Sequence, residues 1–217
     1  MLIEVLSVLT GKSDPHFSPR EASAIGKTPR QGRVAIGPLG LEGDEQADLS
    51  VHGGPDKAIH HYPADHYPFW RTLTGGHPLL YAPGAFGENV STMGMTEHEV
   101  CIGDRYRLGT ALVEVSQGRQ PCWKQGHRLG DPQIVAQIVG HRLTGWYYRV
   151  IEPGGVCAGD KICLAERTQP EWDVARVFGL LIGGDGASDP AALKLLAGLE
   201  VLAPAWRSKA QSQLQDR

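Results

Sequence analysis

The fold is decided by an alternating apolar run that ends in a loop: Ala111-Leu112-Val113-Glu114-Val115, then Ser116-Gln117-Gly118-Arg119-Gln120-Pro121-Cys122-Trp123-Lys124. Alternation of this kind predicts a β-strand, and Gly118 and Pro121 predict that the chain turns away from the sheet where the strand ends. Cys122 is therefore expected at a strand exit and not inside the core.

The flanking charges give Cys122 a predicted chemistry. A free thiol has a pKa near ~8.5, and neighbouring cations favour its charged form. Arg119 and Lys124 supply two such cations within a few residues. Cys122 is thus suited to be a metal ligand or a sulfur nucleophile. The alternative is a small buried hydrophobe, which is the usual role of an isolated cysteine.

The regions on either side predict a β-rich fold with a helical end. Residues 105–108 and 111–116 flank Gly109-Thr110 and predict a hairpin that leads into the Cys122 loop. The 28 glycines and 15 prolines imply many tight turns between short strands, as in a barrel or sandwich. After about Glu166 the pattern becomes helical, and helices are predicted around residues 172–181, from Asp189-Pro190 and from Pro204. The predicted class is mainly β with helices (α+β).

Composition limits the function. The 217 residues can form one domain with a small appendage, and a net charge of −3 provides no general attraction for nucleic acid or anionic membranes. The four cysteines (Cys101, Cys122, Cys157, Cys163) include no CxxC pair and are too few for a disulfide scaffold. No basic leader and no apolar run of about 20 residues is present. We expect a cytoplasmic protein with no nucleic-acid and no membrane partner.

Two other stretches carry candidate binding groups. In Gly53-Gly54-Pro55-Asp56-Lys57 small residues let backbone amides approach an anion, and Lys57 supplies charge. Asn89 could bond a heterocycle or simply serve a turn. His52, His60 and His61 suggest a zinc hydrolase as an alternative, although their spacing matches no ordinary zinc motif. If residues 59–62 form a strand, His60 and His61 point to opposite faces, so at most one of them lines a given pocket.

Five motifs follow one another along the chain: Gly40-Leu41-Glu42-Gly43-Asp44-Glu45-Gln46-Ala47-Asp48, Val51-His52-Gly53-Gly54-Pro55-Asp56-Lys57-Ala58, Gly84-Ala85-Phe86-Gly87-Glu88-Asn89, Ile102-Gly103-Asp104 and Arg119-Gln120-Pro121-Cys122. In this order they resemble MOSC-domain proteins, specifically the YiiM-like branch, and the tail resembles that branch's C-terminal unit. The resemblance implies a MOSC β-barrel domain at residues 1–165 and a C-terminal three-helix unit at 166–217. It also implies binding of the molybdenum cofactor (molybdopterin with Mo) and reduction of N-hydroxylated compounds, such as 6-N-hydroxylaminopurine, to amines.

The resemblance assigns Cys122 as the protein ligand to molybdenum, and thiolate is a soft ligand that suits such a metal. Lys57, Arg119 and Lys124 are candidates to bind the cofactor's phosphate, with Asn89 anchoring the pterin. His52 and His61 are the predicted proton sources, because cleaving N–O to release water consumes two protons. The predicted catalytic residues are therefore Cys122, His52 and His61.

Partners follow from the same resemblance. The tail contains no cysteine, so no ferredoxin-like segment is expected there, and a separate flavin-type reductase is expected to donate electrons. N-hydroxylated bases or small molecules are the expected substrates, and a homodimer is a possible assembly. Two alternatives remain open: Cys122 carries a persulfide for metal–sulfur assembly, or the protein binds the molybdenum cofactor without catalysis.

Overall fold

A seven-stranded barrel forms the centre of the computed structural model, which describes residues 2–19, 21–48 and 53–215. Its strands are β1 (Leu2–Thr10), β5 (Ile59–His61), β6 (Val90–Thr92), β7 (Arg105–Leu108), β8 (Ala111–Gly118), β9 (Trp146–Glu152) and β11 (Lys161–Glu166). They are ordered β11-β7-β8-β9-β5-β6-β1, and pairing of β1 with β11 closes the ring. The pairs are antiparallel except β5 with β6. The predicted barrel is confirmed.

Four short strands lie outside the ring. β2 (Thr28–Pro29) pairs with the end of β1. β3 (Val34–Gly37), β4 (Gly40–Leu41) and β10 (Gly154–Val156) form a separate sheet of three strands. Both additions sit beside loops that connect the barrel strands.

The predicted hairpin is formed by β7 and β8, and β8 is buried from end to end. Gly118 ends this strand where the tail packs against it: a Cβ placed there would lie 3.0 Å from the Trp206 ring and 3.4 Å from Val174. A larger residue would push the tail away from the strand that leads to Cys122.

Six α-helices occur in the described ranges: α1 (Tyr67–Leu73), α2 (Trp123–Arg128), α3 (Ile134–His141), α4 (Val174–Leu181), α5 (Pro190–Ala197) and α6 (Pro204–Gln215). The last three confirm the predicted helical tail, and Asp189 accepts a hydrogen bond from Ala192 N at the start of α5. Helix α2, which begins directly after Cys122, was not predicted. None of these helices has the length and apolar composition needed to cross a bilayer.

The tail and the barrel share one hydrophobic core. Val174, Phe178 and Trp206 belong to the same buried cluster as Val115 and Trp146. The backbone joins them as well, because Ala203 N donates to Ser116 O at 2.9 Å. The tail is therefore held against the end of β8, and the division of the chain after residue 165 stays a prediction.

Candidate functional site

An open cavity of about 560 Å³, its mouth included, lies where β8 ends, and we call it the basic cavity. Its wall contains four cations, Lys27, Lys57, Arg119 and Lys124, and two carboxylates, Glu45 and Asp48. Other wall residues are His60, Asn89, Cys122 and Tyr147.

Cys122 is partly exposed and is not enclosed in the core. It adopts an extended conformation (φ −135°, ψ 166°) immediately before α2, as predicted for a strand exit. The Gln125 side chain accepts a hydrogen bond from Cys122 N at 3.2 Å, and Gln125 N faces the thiol. This local capping arrangement presents the sulfur to the cavity.

Arg119 is a buried cation of the cavity wall, and one nitrogen of its guanidinium lacks a hydrogen-bond partner among the described residues. Its side chain is buried, with 7% of the residue exposed, and Nη1 has no hydrogen-bond partner among the described residues. Its backbone is fixed, because Arg119 N donates to Gly145 O at 3.1 Å and Thr144 Oγ1 donates to Arg119 O. A buried donor without a partner is uncommon and indicates a place for an acceptor.

The three lysines differ in how they are held. Lys124 is buried, pairs with Glu21 at 2.9 Å and donates to Ala22 O at 3.1 Å. Lys57 lies in a short 3₁₀ helix. Burial lowers the pKa of Lys57, and the charge of Asp56 raises it by a smaller amount.

Lys27, a further cation of the cavity wall, pairs with Asp44. Burial lowers the pKa of Lys27 and Asp44 raises it. This pair neutralises part of the positive charge, as the Lys124–Glu21 pair does, so Arg119 is the best-placed cation to balance a ligand's charge.

Asn89 lines the cavity but uses its polar atoms for support. Nδ2 donates to Leu9 O at 3.2 Å and to Asp44 at 2.8 Å, and Oδ1 accepts from His60 N at 3.0 Å. Both amide hydrogens are thereby engaged. The predicted pterin anchor therefore has a structural task here, because it fixes His60 and Asp44.

The structure corrects the placement of His61. Residues 59–61 form β5, so adjacent histidines do face opposite ways, but His60 is the one in the cavity wall. His61 is fully buried on the other face, where its two ring nitrogens contact Tyr148 Oη at 3.0 Å and Thr92 Oγ1 at 2.9 Å. His61 therefore has no path to a ligand in the basic cavity. His52, the other predicted proton source, lies outside the described residues.

His60 has the geometry that was expected of His61. It is 3% exposed, its ring centroid lies 5.2 Å from that of Tyr147, and Nε2 lacks a hydrogen-bond partner in the described structure. Burial, followed by the charge of Arg119, holds the His60 pKa well below the usual value. The ring is therefore neutral at neutral pH and free to bond a ligand through Nε2.

His61 makes the stability of the protein pH-dependent. Burial lowers its pKa to about 3, whereas an unfolded chain has a histidine pKa near ~6.5. Between these values the unfolded chain binds a proton that the folded protein does not, so the free energy of unfolding falls as pH drops below the unfolded value. We expect a loss of roughly 2 kcal/mol between about pH 6.5 and about pH 5.

Urea denaturation across this pH range measures the effect. His61→Gln keeps a donor and an acceptor but does not titrate, so its stability should fall less steeply than that of the wild type. Equal slopes for the two proteins would show that the buried ring is not the cause.

Lys27, Asp44 and Tyr147 were not predicted as site residues, and His60 was named only as a candidate zinc ligand. Tyr147 could have been found from alternation in β9, because Trp146 and Tyr148 face the core and Tyr147 must face the opposite side. Within the described ranges, no group of three or more His, Cys, Asp or Glu side chains is arranged to hold a metal ion. Cys122 is the one thiol in the described wall of the basic cavity.

Comparison with known proteins gives consistent matches. Residues 48–163 match the MOSC domain family. The chain is 42% identical over 162 residues to protein YiiM of Escherichia coli strain K12, covering 75% of this chain and 72% of that protein. It is 44% identical over 156 residues to a protein named reductase from Gibberella moniliformis, covering 71% of this chain but 28% of that protein's length.

A solved structure extends the similarity over the whole chain. The crystal structure of YiiM from Geobacillus stearothermophilus superposes with a TM-score of 0.82 at 32% identity, covering 98% of this chain and 99% of that one. The similarity therefore includes the helical tail as well as the barrel.

Proposed function

Because the chain belongs to the MOSC-domain family, we propose that it binds the molybdenum cofactor in the basic cavity and reduces N-hydroxylated compounds, such as 6-N-hydroxylaminopurine, to amines. The observation that carries the proposal is the position of Cys122. In the part of the chain that the structure describes, it is the only cysteine in the cavity wall, and four cations share that wall.

The residues present fit the implied cofactor. Its phosphate is an anion, and Arg119 Nη1 is a buried donor that has no acceptor within the described part of the chain. A guanidinium can form two parallel charge-assisted hydrogen bonds with a phosphate. Lys57 and Lys124 would add charge, and His60 Nε2 would add a further polar contact.

Cys122 would be the metal's protein ligand, since thiolate is a soft donor, and the bound cofactor would supply the two-electron chemistry. The net reaction is R–NHOH + 2 H⁺ + 2 e⁻ → R–NH₂ + H₂O. The chain's own task is to position the substrate and provide protons. We assign the proton role to His60 in place of His61, because His60 is the histidine that reaches the cavity.

Tyr147 is the second candidate for moving protons. Burial raises the pKa of its phenol, so the hydroxyl stays protonated at neutral pH and can donate a hydrogen bond. The neutral His60 ring, whose pKa is depressed, would become more basic if an anion bound beside it. Binding would thus prepare His60 to take up a proton and pass it on.

The relative named reductase supports an oxidoreductase activity. Our chain spans only 28% of that protein, so the activity is carried over as a proposal. We also propose a separate flavin-type reductase as the electron donor.

The proposal is tested by producing the protein in a host that makes the molybdenum cofactor. Molybdenum and pterin should copurify with the protein, and 6-N-hydroxylaminopurine should be converted to adenine by the reduced protein with viologen as electron source. Absence of molybdenum and pterin would overturn the proposal. A sulfur atom added to Cys122 without pterin would favour a persulfide carrier, and full molybdenum occupancy without turnover would indicate a binding protein.

Arg119→Met should separate cofactor binding from folding. We expect cofactor affinity to fall about 100-fold, because losing two charge-assisted hydrogen bonds is worth roughly 3 kcal/mol. The cofactor-free variant should be as stable as the wild type or slightly more stable, since an incompletely paired buried charge is removed. Molybdenum retained after dialysis and the urea midpoint measure the two effects.

Arg107→Met is the matched control, because Arg107 lies on the exposed side of β7 and pairs with Glu152. It should retain the cofactor like the wild type. If Arg119→Met retains as much molybdenum as the wild type, the Arg119 guanidinium is not part of the anion site.

A further inference from the structure

A second cavity adjoins the basic cavity at Cys122, and we call it the outer cavity. It shares Lys57, Cys122 and Tyr147 with the basic cavity, and residues of helix α6 line another part of its wall. The proposed metal ligand therefore lies in the wall of both cavities. The basic cavity has the larger number of cations, which suits the cofactor, and the outer cavity leaves room for a different molecule.

Gln117 gives the outer cavity a specific polar group. It lines the cavity, is 3% exposed and sits opposite Tyr147 in the β8–β9 pairing. Its Nε2 donates to Gly118 O at 3.3 Å, which fixes the orientation of the carboxamide. No donor among the described residues reaches Oε1. An unpaired buried acceptor costs about 1–3 kcal/mol, so a ligand with an N–H group would relieve that cost.

The remaining wall suits a flat ring. Trp206 and Tyr147 provide aromatic surface, and Pro121 and Ala205 provide apolar surface. Lys57 and Lys209 are its charged members, and the described wall contains no carboxylate. Aromatic side chains bind planar heterocycles through stacking and edge contacts. A simple aliphatic hydroxylamine would leave the aromatic surface of Trp206 and Tyr147 without a stacking partner.

We propose that the outer cavity is the substrate subsite and takes a planar nitrogen heterocycle whose N–H donates to Gln117 Oε1. This inference rests on the proposed function and deepens it. The bound ring lies between β8 and α6, and its hydroxylamino substituent reaches the region beside Cys122 that both cavities share. The helical tail then decides which N-hydroxylated compounds are accepted.

Binding to the cofactor-free protein tests the subsite without relying on catalysis. Calorimetric titration with 6-N-hydroxylaminopurine should show binding to the wild type, weakened about tenfold in Gln117→Met, which keeps the side-chain volume but removes the acceptor. Ser212→Trp, on the exposed cavity-facing side of α6, should abolish binding by filling the space. Gln211→Trp places the same ring on the neighbouring exposed position outside the wall and should bind like the wild type.

The holoprotein separates failure of the subsite from failure of the proposed function. Gln117→Met should raise KM for 6-N-hydroxylaminopurine about tenfold, and the wild type should also reduce hydroxylamine itself. A wild-type holoprotein that reduces neither compound, yet shows the expected binding pattern, overturns the proposed function and supports the subsite. If Ser212→Trp binds and reduces 6-N-hydroxylaminopurine like the wild type, the proposed subsite is overturned while the proposed reductase activity stands.

Discussion

Cys122→Ser is expected to lose at least about 1000-fold of the molybdenum-dependent turnover of 6-N-hydroxylaminopurine, equivalent to roughly 4 kcal/mol of transition-state stabilisation. Changing groups that merely support a metal ligand already costs about 10- to 100-fold, and here the proposed ligand itself is replaced. A serine hydroxyl is a hard metal ligand that stays protonated, so it is a poor replacement for a soft thiolate ligand. Steady-state kinetics and molybdenum content measure the loss.

The structure argues that this loss will not be caused by unfolding. Cys122 occupies the position before the first residue of α2, where serine is among the preferred residues. Cys163→Ser is the matched control, because Cys163 is also partly exposed but lies on β11, paired with Leu2. It should keep full activity. Comparable turnover by Cys122→Ser and the wild type would remove the central support for the reductase.

Gly145→Ala is expected to lower the free energy of unfolding by about 3 to 5 kcal/mol. Gly145 has φ +68°, where a side chain adds strain. A Cβ there would lie 2.4 Å from His61 O, 3.0 Å from the Tyr62 ring and 3.1 Å from His60 Nε2. The nearest atom is backbone of β5, which is paired with β9, so it cannot move aside cheaply. Urea denaturation measures the loss.

Gly130→Ala separates conformational strain from crowding. Gly130 has nearly the same φ, +66°, but no atom of residues 2–19, 21–48 or 53–215 lies within 4 Å of a Cβ placed there, its chain neighbours aside. Its substitution should cost about 1 to 2 kcal/mol from strain alone. The difference in stability loss between Gly145→Ala and Gly130→Ala then measures the cost of steric crowding. Equal losses of unfolding free energy in the two variants would show that β5 moves away from the added methyl group. His60 would then be held less rigidly than its contacts indicate.

Much of the fold could be predicted because its signals are local. Alternation and a Gly-Thr turn identify the β7–β8 hairpin, and Asp189-Pro190 marks the start of α5 as a cap followed by proline. Helix α2 was missed because its six residues include Gly126 and follow a cysteine instead of a usual capping residue. There Cys122 and Gln125 provide the capping arrangement.

The candidate site was predictable where its residues are close in sequence. Arg119, Cys122 and Lys124 belong to one loop, and the structure places all three in the basic cavity. Predicting whether His60 or His61 lines the cavity requires knowing which face of β5 lies inside the barrel. The pairing of β5 with β9 determines that face.

Contacts between irregular segments had no comparable signal. The Lys27–Asp44 pair joins two regions with no periodic pattern. Composition and spacing alone therefore do not reveal that these two charges meet.

The pairing of Leu2 with Cys163 has a consequence for synthesis on the ribosome. Strand β1 finds its β6 neighbour at Val90, but the stretch of its other edge from Leu2 to Glu4 has no partner among the described strands until β11 has been translated. Long-range pairing of this kind is slow to form and leaves a strand edge able to join other chains. Nascent chains stalled before β11 should therefore be prone to aggregate and should depend on chaperones.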